Sequence, residues 1–277
     1  MAQTGSQWER RIERARELAE VYPFSAEILG FYSKVTAFQK DCYSRIESAC
    51  GSRRGPLRSL PPALDEVDLG LLLTRWKPFL STIRDAAPAP LAEFARDLSA
   101  RDPSVGAAIL RSSWRGSTGS RSEWIAGNGL EAFCARAFLQ PYAEYLSHHT
   151  DLPEPPTHRP ACPCCGSPPL VGVLRQLGEG AKRSLVCSFC RTEWDFLRIA
   201  CPACEERDER KICVFSTPAF ACVRVEACET CRGYMKTIDL TKDGLAVPEV
   251  DELAAVPLTL WADENGYSKV AGNIMGV

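Results

Sequence analysis

Apolar residues recur at helical spacing through the first half of the chain. Trp8, Ile12, Ala15, Ala19 and Tyr22 repeat every three to four positions with Arg and Glu between them, which predicts an amphipathic helix over 7–22. Pro23 interrupts it. Phe24, Ile28, Phe31, Val35, Phe38, Cys42, Ile46 and Ala49 form one stripe, so a longer helix is predicted over 24–49, with Gly51 as its C-cap. Further helices are predicted over 65–84, entered at Asp65 and kinked near Pro78, over 90–100, from Asp102-Pro103 to about 111, and after Asn128. Loops are predicted at 51–64 and at the Gly/Ser turn 115–120. The segment 151–160, DLPEPPTHRP, holds four prolines and no apolar period. Such a segment reads as a semi-rigid linker spanning about 30 Å.

Beyond the linker the period changes from helical to extended. The runs 170–177 and 183–187 flank GEGAK, and the runs 211–216 and 220–228 flank Thr217-Pro218-Ala219, a pattern of strand pairs. A terminal helix is predicted over 248–264, interrupted by Pro257 and docking on one of the modules before it. The fold class is therefore α+β and multidomain. The expected division is a helical domain 1–150, a linker 151–160, two metal modules 161–199 and 200–240, and a helical tail 241–277.

Cysteine supplies the chemistry. The chain of 277 residues has 14 Cys, and four Cys-x-x-Cys pairs fall between Ala161 and Leu240. Chance placement would produce about 0.7 such pairs. They are Cys162/Cys165, Cys187/Cys190, Cys201/Cys204 and Cys228/Cys231. Two intervening residues let a tight knuckle aim two thiolates at one ion, and two knuckles complete a four-thiolate site. ACPCC…VCSFCRTEW recurs as ACPAC…ACETCRGYM, so the stretch is a duplication and pairing within each unit is expected. Units this small rarely stand on a hydrophobic core alone. Four thiolates close the coordination sphere, so structural metal is expected and no catalytic residue is assigned. Zinc and iron both suit the donor set. Cys42, Cys134 and Cys222 read as packed thiols, and the roles of Cys164 and Cys213 stay open. His148, His149 and His158 read as structural or solvated, because eight paired Cys already suffice.

The charged fraction of 25% and the net charge of −2 describe a soluble chain with no basic stripe for nucleic acid. No signal-peptide core precedes the first helix, and Leu69–Leu73 is too short to span a bilayer. A cytoplasmic setting, where thiols stay reduced, is the expectation, without membrane insertion.

The stretches CPCCGSPP, LVCSFCRTEWDFLRIACPAC, ETCRGYMKTIDL and DELA…ENGYSKVAGN make the last 120 or so residues resemble the formate dehydrogenase accessory protein FdhE family. The resemblance implies two rubredoxin-like modules that favour iron over zinc. Their ligands would be Cys162, Cys165, Cys187 and Cys190, and Cys201, Cys204, Cys228 and Cys231. It also implies a cytoplasmic maturation factor that binds the catalytic subunit precursor of a molybdenum-dependent formate dehydrogenase, not an enzyme. Two other roles are weighed beside it. A redox protein would pass electrons to its client or sense oxygen, and a nucleic-acid-binding zinc ribbon would bind in a salt-dependent way. Glu205 stands where the first unit has Gly166, so a less regular second site is expected.

Overall fold

The structure, a computed structural model, describes residues 2–51, 69–116, 129–151 and 159–276. Among the described residues, six helices come first: α1 (Ala2–Val21), α2 (Ala26–Cys50), α3 (Leu69–Ala86), α4 (Ala89–Ala100), α5 (Pro103–Gly116) and α6 (Gly129–His148). The break at Pro23 is a single 3₁₀ turn, Pro23–Ser25, where proline's fixed φ and missing N–H suit a first turn. Gly51 caps α2 at φ 74°, as expected. Pro78 lies within α3 and does not end it. The expected entry at Asp65, most of the loops at 51–64 and 115–120, and linker residues 152–158, with His158, lie outside the described residues.

The predicted stripes are buried in the main, divided between two clusters, while Phe24 and Ala49 at the ends of the second stripe stay exposed. Trp8, Phe31, Val35, Trp76, Phe79, Leu110 and Phe138 are buried together, and the same apolar cluster continues into Cys162, Cys187, Phe189 and Trp194. Helices and first unit thus share a core although a proline-rich segment divides them in sequence.

The strands are β1 (Pro169–Leu177), β2 (Gly180–Cys187), β3 (Glu193–Asp195), β4 (Ile212–Ser216), β5 (Val223–Cys228), β6 (Gly233–Asp239) and β7 (Ser268–Lys269). Each unit contributes a three-stranded antiparallel meander. The two meanders join through β1 and β6, parallel, into one sheet of order β3-β2-β1-β6-β5-β4, with β7 beside the start of β6. At the seam Gly172 faces Thr237. A Cβ at Gly172 would stand 2.4 Å from the Thr237 hydroxyl oxygen, so only glycine lets the units approach this closely. Gly172→Ala is expected to cost about 1–3 kcal/mol by overpacking, read as a lower denaturation midpoint with unchanged slope.

A buried ion pair spans the same seam. Arg183 of β2 meets Glu226 of β5 at 2.6 Å, with side chains 1% and 6% exposed. Its Nη1 also donates to the carbonyls of Leu197 and Ala200, in the segment between the units.

The terminal helix is two helices, α7 (Pro248–Ala254) and α8 (Val256–Glu264), because Pro257 starts a new first turn instead of continuing the old one. The tail docks on both layers, not on one module. Ala15, Leu18, Leu29 and Tyr32 of α1 and α2 pack with Val250, Leu253 and Ala254 of α7. Arg14 bonds Asp251 and Asp243, and Ser25 donates to the Ala254 carbonyl at 2.8 Å. Beneath, Lys236 of β6 donates to the carbonyls of Glu252 and Ala255, closing the end of α7. Among the described residues, no helix is long and apolar enough to cross a membrane.

Candidate metal centres

Each expected set of four cysteines converges. In both sets the four Sγ atoms lie within 4.8 Å of one another. Cys162 and Cys190 are 3.5 Å apart and Cys165 and Cys187 3.4 Å. In the second set, Cys201 and Cys231 are 3.6 Å apart and Cys204 and Cys228 3.7 Å. These separations are too long for disulfides. They approach the edge of about 3.8 Å that a tetrahedron with metal–sulfur bonds of about 2.3 Å would have.

One local device builds all four knuckles. The residue after the second Cys takes a left-handed conformation: Gly166 at φ 73°, Arg191 at 57°, Glu205 at 61° and Arg232 at 56°. The turn is then closed from backbone to backbone. Gly166 N donates to Cys162 O at 3.0 Å, Glu205 N to Cys201 O at 2.9 Å and Arg232 N to Cys228 O at 2.9 Å. The knuckles at Cys162, Cys187 and Cys201 add a return bond from the first Cys N to the carbonyl five residues on, each 2.9 Å. The expected irregularity at Glu205 is absent from the backbone: glutamate makes the turn that glycine makes, at a cost in strain. Glu205→Gly is therefore expected to stabilise by about 0.5–1 kcal/mol, the relief of left-handed strain less glycine's chain entropy, measurable as a raised melting temperature.

Backbone N–H groups also point at sulfur. Phe189 N lies 3.3 Å from Cys187 Sγ, Ala203 N 3.4 Å from Cys201 Sγ, and Gly233 N 3.4 Å from Cys231 Sγ. Such donors favour thiolate over thiol. The protein alone still does not favour four thiolates. Burial pushes Cys187 and Cys190 well up, while hydrogen bonding among the four thiols, led by Cys162, holds Cys165 well down. In the second set burial raises Cys201 and Cys204. At Cys228 burial acts the same way but is overcome by the N–H groups of Cys231 and Thr230, and its pKa is lowered. A cation is what would draw the remaining protons off, and the donor sets fit a thiophilic tetrahedral ion.

The two centres differ in enclosure. Cys162, Cys165, Cys187 and Cys190 are at most 6% exposed. Over them lies a feature with no signal in the sequence. Arg136 of α6 stacks on Phe189 at 4.7 Å and feels the charges of Cys187 and Cys165, which oppose the lowering of its pKa by burial. Ser147 donates to the Cys190 carbonyl at 3.1 Å, and the Thr192 hydroxyl lies 3.0 Å from Cys190 Sγ. In the second set Cys201 and Cys228 are buried, but Cys204 and Cys231 both reach solvent.

The remaining thiols stay outside the two sets. Cys164 is buried and its thiol touches Cys190. Cys213 is half-buried, 3.8 Å from a Glu229 oxygen. Cys42 and Cys134 are core, with burial pushing them up to about 11 and 12. Cys222 clusters with Asp243 and Asp251, but Arg14 already bonds both carboxylates there. His148 and His149 bond Tyr43 and the Tyr145 carbonyl on the helical side.

Fold and site together define a class: a helical layer on a mixed sheet that carries two tetracysteine centres. Residues 161–198 match the family model described as FdhE, central domain, and residues 199–275 match FdhE, C-terminal domain. A protein named Protein FdhE homolog from Aquifex aeolicus is 28% identical over 279 residues, covering 96% of this chain and 94% of that one. Its namesake from Pseudomonas aeruginosa is 29% identical over 297 residues, covering 96% and 88%. The crystal structure of the FdhE protein from Pseudomonas aeruginosa has the same fold, with a TM-score of 0.73 at 24% identity over 100% of this chain and 98% of that one. Residues 161–275 thus match both FdhE domain models, and the chain is similar over nearly its whole length to proteins that bear the FdhE name.

Proposed function

We propose that the chain is an accessory factor for a molybdenum-dependent formate dehydrogenase. It binds the precursor of that enzyme's catalytic subunit in the cytoplasm and acts as a binding factor, not as an enzyme. Each tetracysteine set holds one metal ion, iron in preference to zinc. The ligands are Cys162, Cys165, Cys187 and Cys190 in one centre and Cys201, Cys204, Cys228 and Cys231 in the other. The observation that carries the reading is the pairing of two four-thiol sets, each built from two left-handed knuckles, in a chain that matches the FdhE central and C-terminal domain models.

Bound iron would supply one-electron chemistry, whereas zinc would supply only cross-linking. The protein's part is geometric and electrostatic: the knuckles set the thiolates at tetrahedral spacing, N–H groups bond the sulfurs, and Arg136 lies against the enclosed set. Exchange of electrons with a client is a second reading, and it is favoured at the second centre alone, because Cys204 reaches solvent.

Purification without oxygen, followed by metal analysis, a visible spectrum and co-purification with the catalytic subunit precursor, tests the reading. Two irons per chain, ferric–thiolate absorption on oxidation and retention of the precursor are expected. Two zincs without colour would refute the metal assignment. Failure to retain the precursor would refute the client assignment. A salt-sensitive shift of labelled nucleic acid would instead support a zinc-ribbon role.

A further inference from the structure

A cleft of about 300 Å³ opens where α1, the strands of the first unit and the segment leading into α7 meet. Its wall carries four arginines, Arg10, Arg11, Arg175 and Arg191, against two carboxylates, Glu193 and Glu249. Both carboxylates are already engaged. Glu193 receives a two-pronged bond from Arg175, at 3.0 and 2.8 Å, and a bond from the Ser184 hydroxyl. Glu249 is paired with Arg11, which also bonds Glu144 behind the wall.

Arg191 makes no ion pair among the described residues and acts on the Glu249 carboxylate only at longer range, behind Arg11. It is only 9% exposed. Its Nη1 donates to the carbonyls of Cys187 and Ser188 at 3.2 and 3.1 Å, and its Nε has no partner. Among the described residues no carboxylate comes within ion-pair distance of it, nor of the exposed Arg10. With Glu144 counted the local charges still sum to a surplus of one cation, and both unpaired groups are guanidiniums. Burying a guanidinium short of partners is unfavourable, and an oxyanion beside it reduces that deficit.

We propose that this cleft binds a small phosphate-bearing molecule, with the phosphate oxygens accepting from Arg191 and Arg10. A guanidinium fork matches an oxyanion edge, and two forks from different elements suit a tetrahedral anion better than a flat one. The volume leaves room for a small organic body against Val186 and Ala246. The site is independent of which metal the cysteines hold and of any client.

The test is calorimetric titration of the full metal-loaded chain with inorganic phosphate, a nucleoside monophosphate and malonate, alongside thermal melts. Saturable one-site binding of phosphate or the monophosphate is expected, with a raised melting temperature and weaker binding of malonate. Arg10→Gln, at an exposed position, should weaken binding about tenfold while leaving the melting temperature of the free protein unchanged. Arg191→Lys should weaken it as well. No saturable binding at millimolar concentration, equal binding in wild type and Arg10→Gln, or malonate binding as tightly as phosphate would each overturn the proposal. Loss of folding in Arg191→Lys leaves the decision with Arg10→Gln.

Discussion

Serine in place of Cys187 is expected to unfold the chain from its centre, whereas serine in place of Cys204 costs the second set its metal and leaves the fold standing. Cys187 is 0% exposed and belongs to the apolar cluster that also holds Leu110, Phe138 and Tyr142 of the helices. A structural four-thiolate site carries an apparent free energy of about 10–16 kcal/mol, as large as the roughly 5–15 kcal/mol that separates a folded domain from its unfolded chain. With the proposed metal in the first set, its loss would therefore remove most of the stability of helices and sheet together. Cys204 is exposed, and the strands beside it are tied to the first unit through the Gly172–Thr237 seam and the Arg183–Glu226 pair. Its loss should lower the melting temperature but preserve a single cooperative transition. Circular-dichroism melts with metal counts per chain decide the matter. A Cys187→Ser protein that melts like the wild type with one metal missing would show that the enclosed centre is not a staple. A chelator should likewise empty the second set well before the first.

Acid should release the tail between about pH 4.5 and pH 2. Glu252 is fully buried, and burial alone would raise its pKa. Lys236 and Lys269 overcome this and hold it down to about 2, with Asn273 donating as well. A carboxyl with a depressed folded pKa stabilises above its unfolded value of 4.5 and loses that contribution as pH falls towards 2. The contribution at neutral pH is about 3 kcal/mol. Lys236 is pushed down to about 8, because burial, helped by the neighbouring charge of Lys269, outweighs the pull of Glu252 and of the more distant Asp263. Glu252→Gln leaves Lys236 buried without its paired carboxylate and is expected to cost about 3–5 kcal/mol at pH 7. It should also flatten the acid limb of a stability–pH curve between pH 4.5 and 2. An unchanged acid limb in Glu252→Gln would place the acid-sensitive group elsewhere.

Much of this molecule is written locally. The stripe from Phe31 to Ile46 names the buried face of α2, because a helix repeats every 3.6 residues whatever it packs on. Pro23 breaks α1 from α2 through its own ring. The eight cysteines of the two sets were legible because a knuckle is closed by backbone bonds within six residues, and the duplication said which knuckles pair. The Glu205 turn departs from residue preference for a related reason: that preference is local, but the bond closing the turn and the convergence of four thiols outweigh a modest left-handed strain.

What lay beyond reading depends on contacts between segments far apart in the chain. Sequence alone determined the helical half, the two four-cysteine units, their strand pairs and the site of the break at Pro257. Only the tertiary structure decided that the two meanders become one sheet, since parallel pairing of β1 with β6 leaves no period in either strand. It alone put Arg136 over the first centre, left half of the second in solvent, and set α7 between both layers with Arg11, Arg14 and Lys236 as its fastenings. Local rules act through backbone dihedrals and neighbours within a turn or two. Enclosure, charge compensation and sheet joining are settled by which surfaces meet, and that is decided by the summed burial of the whole chain.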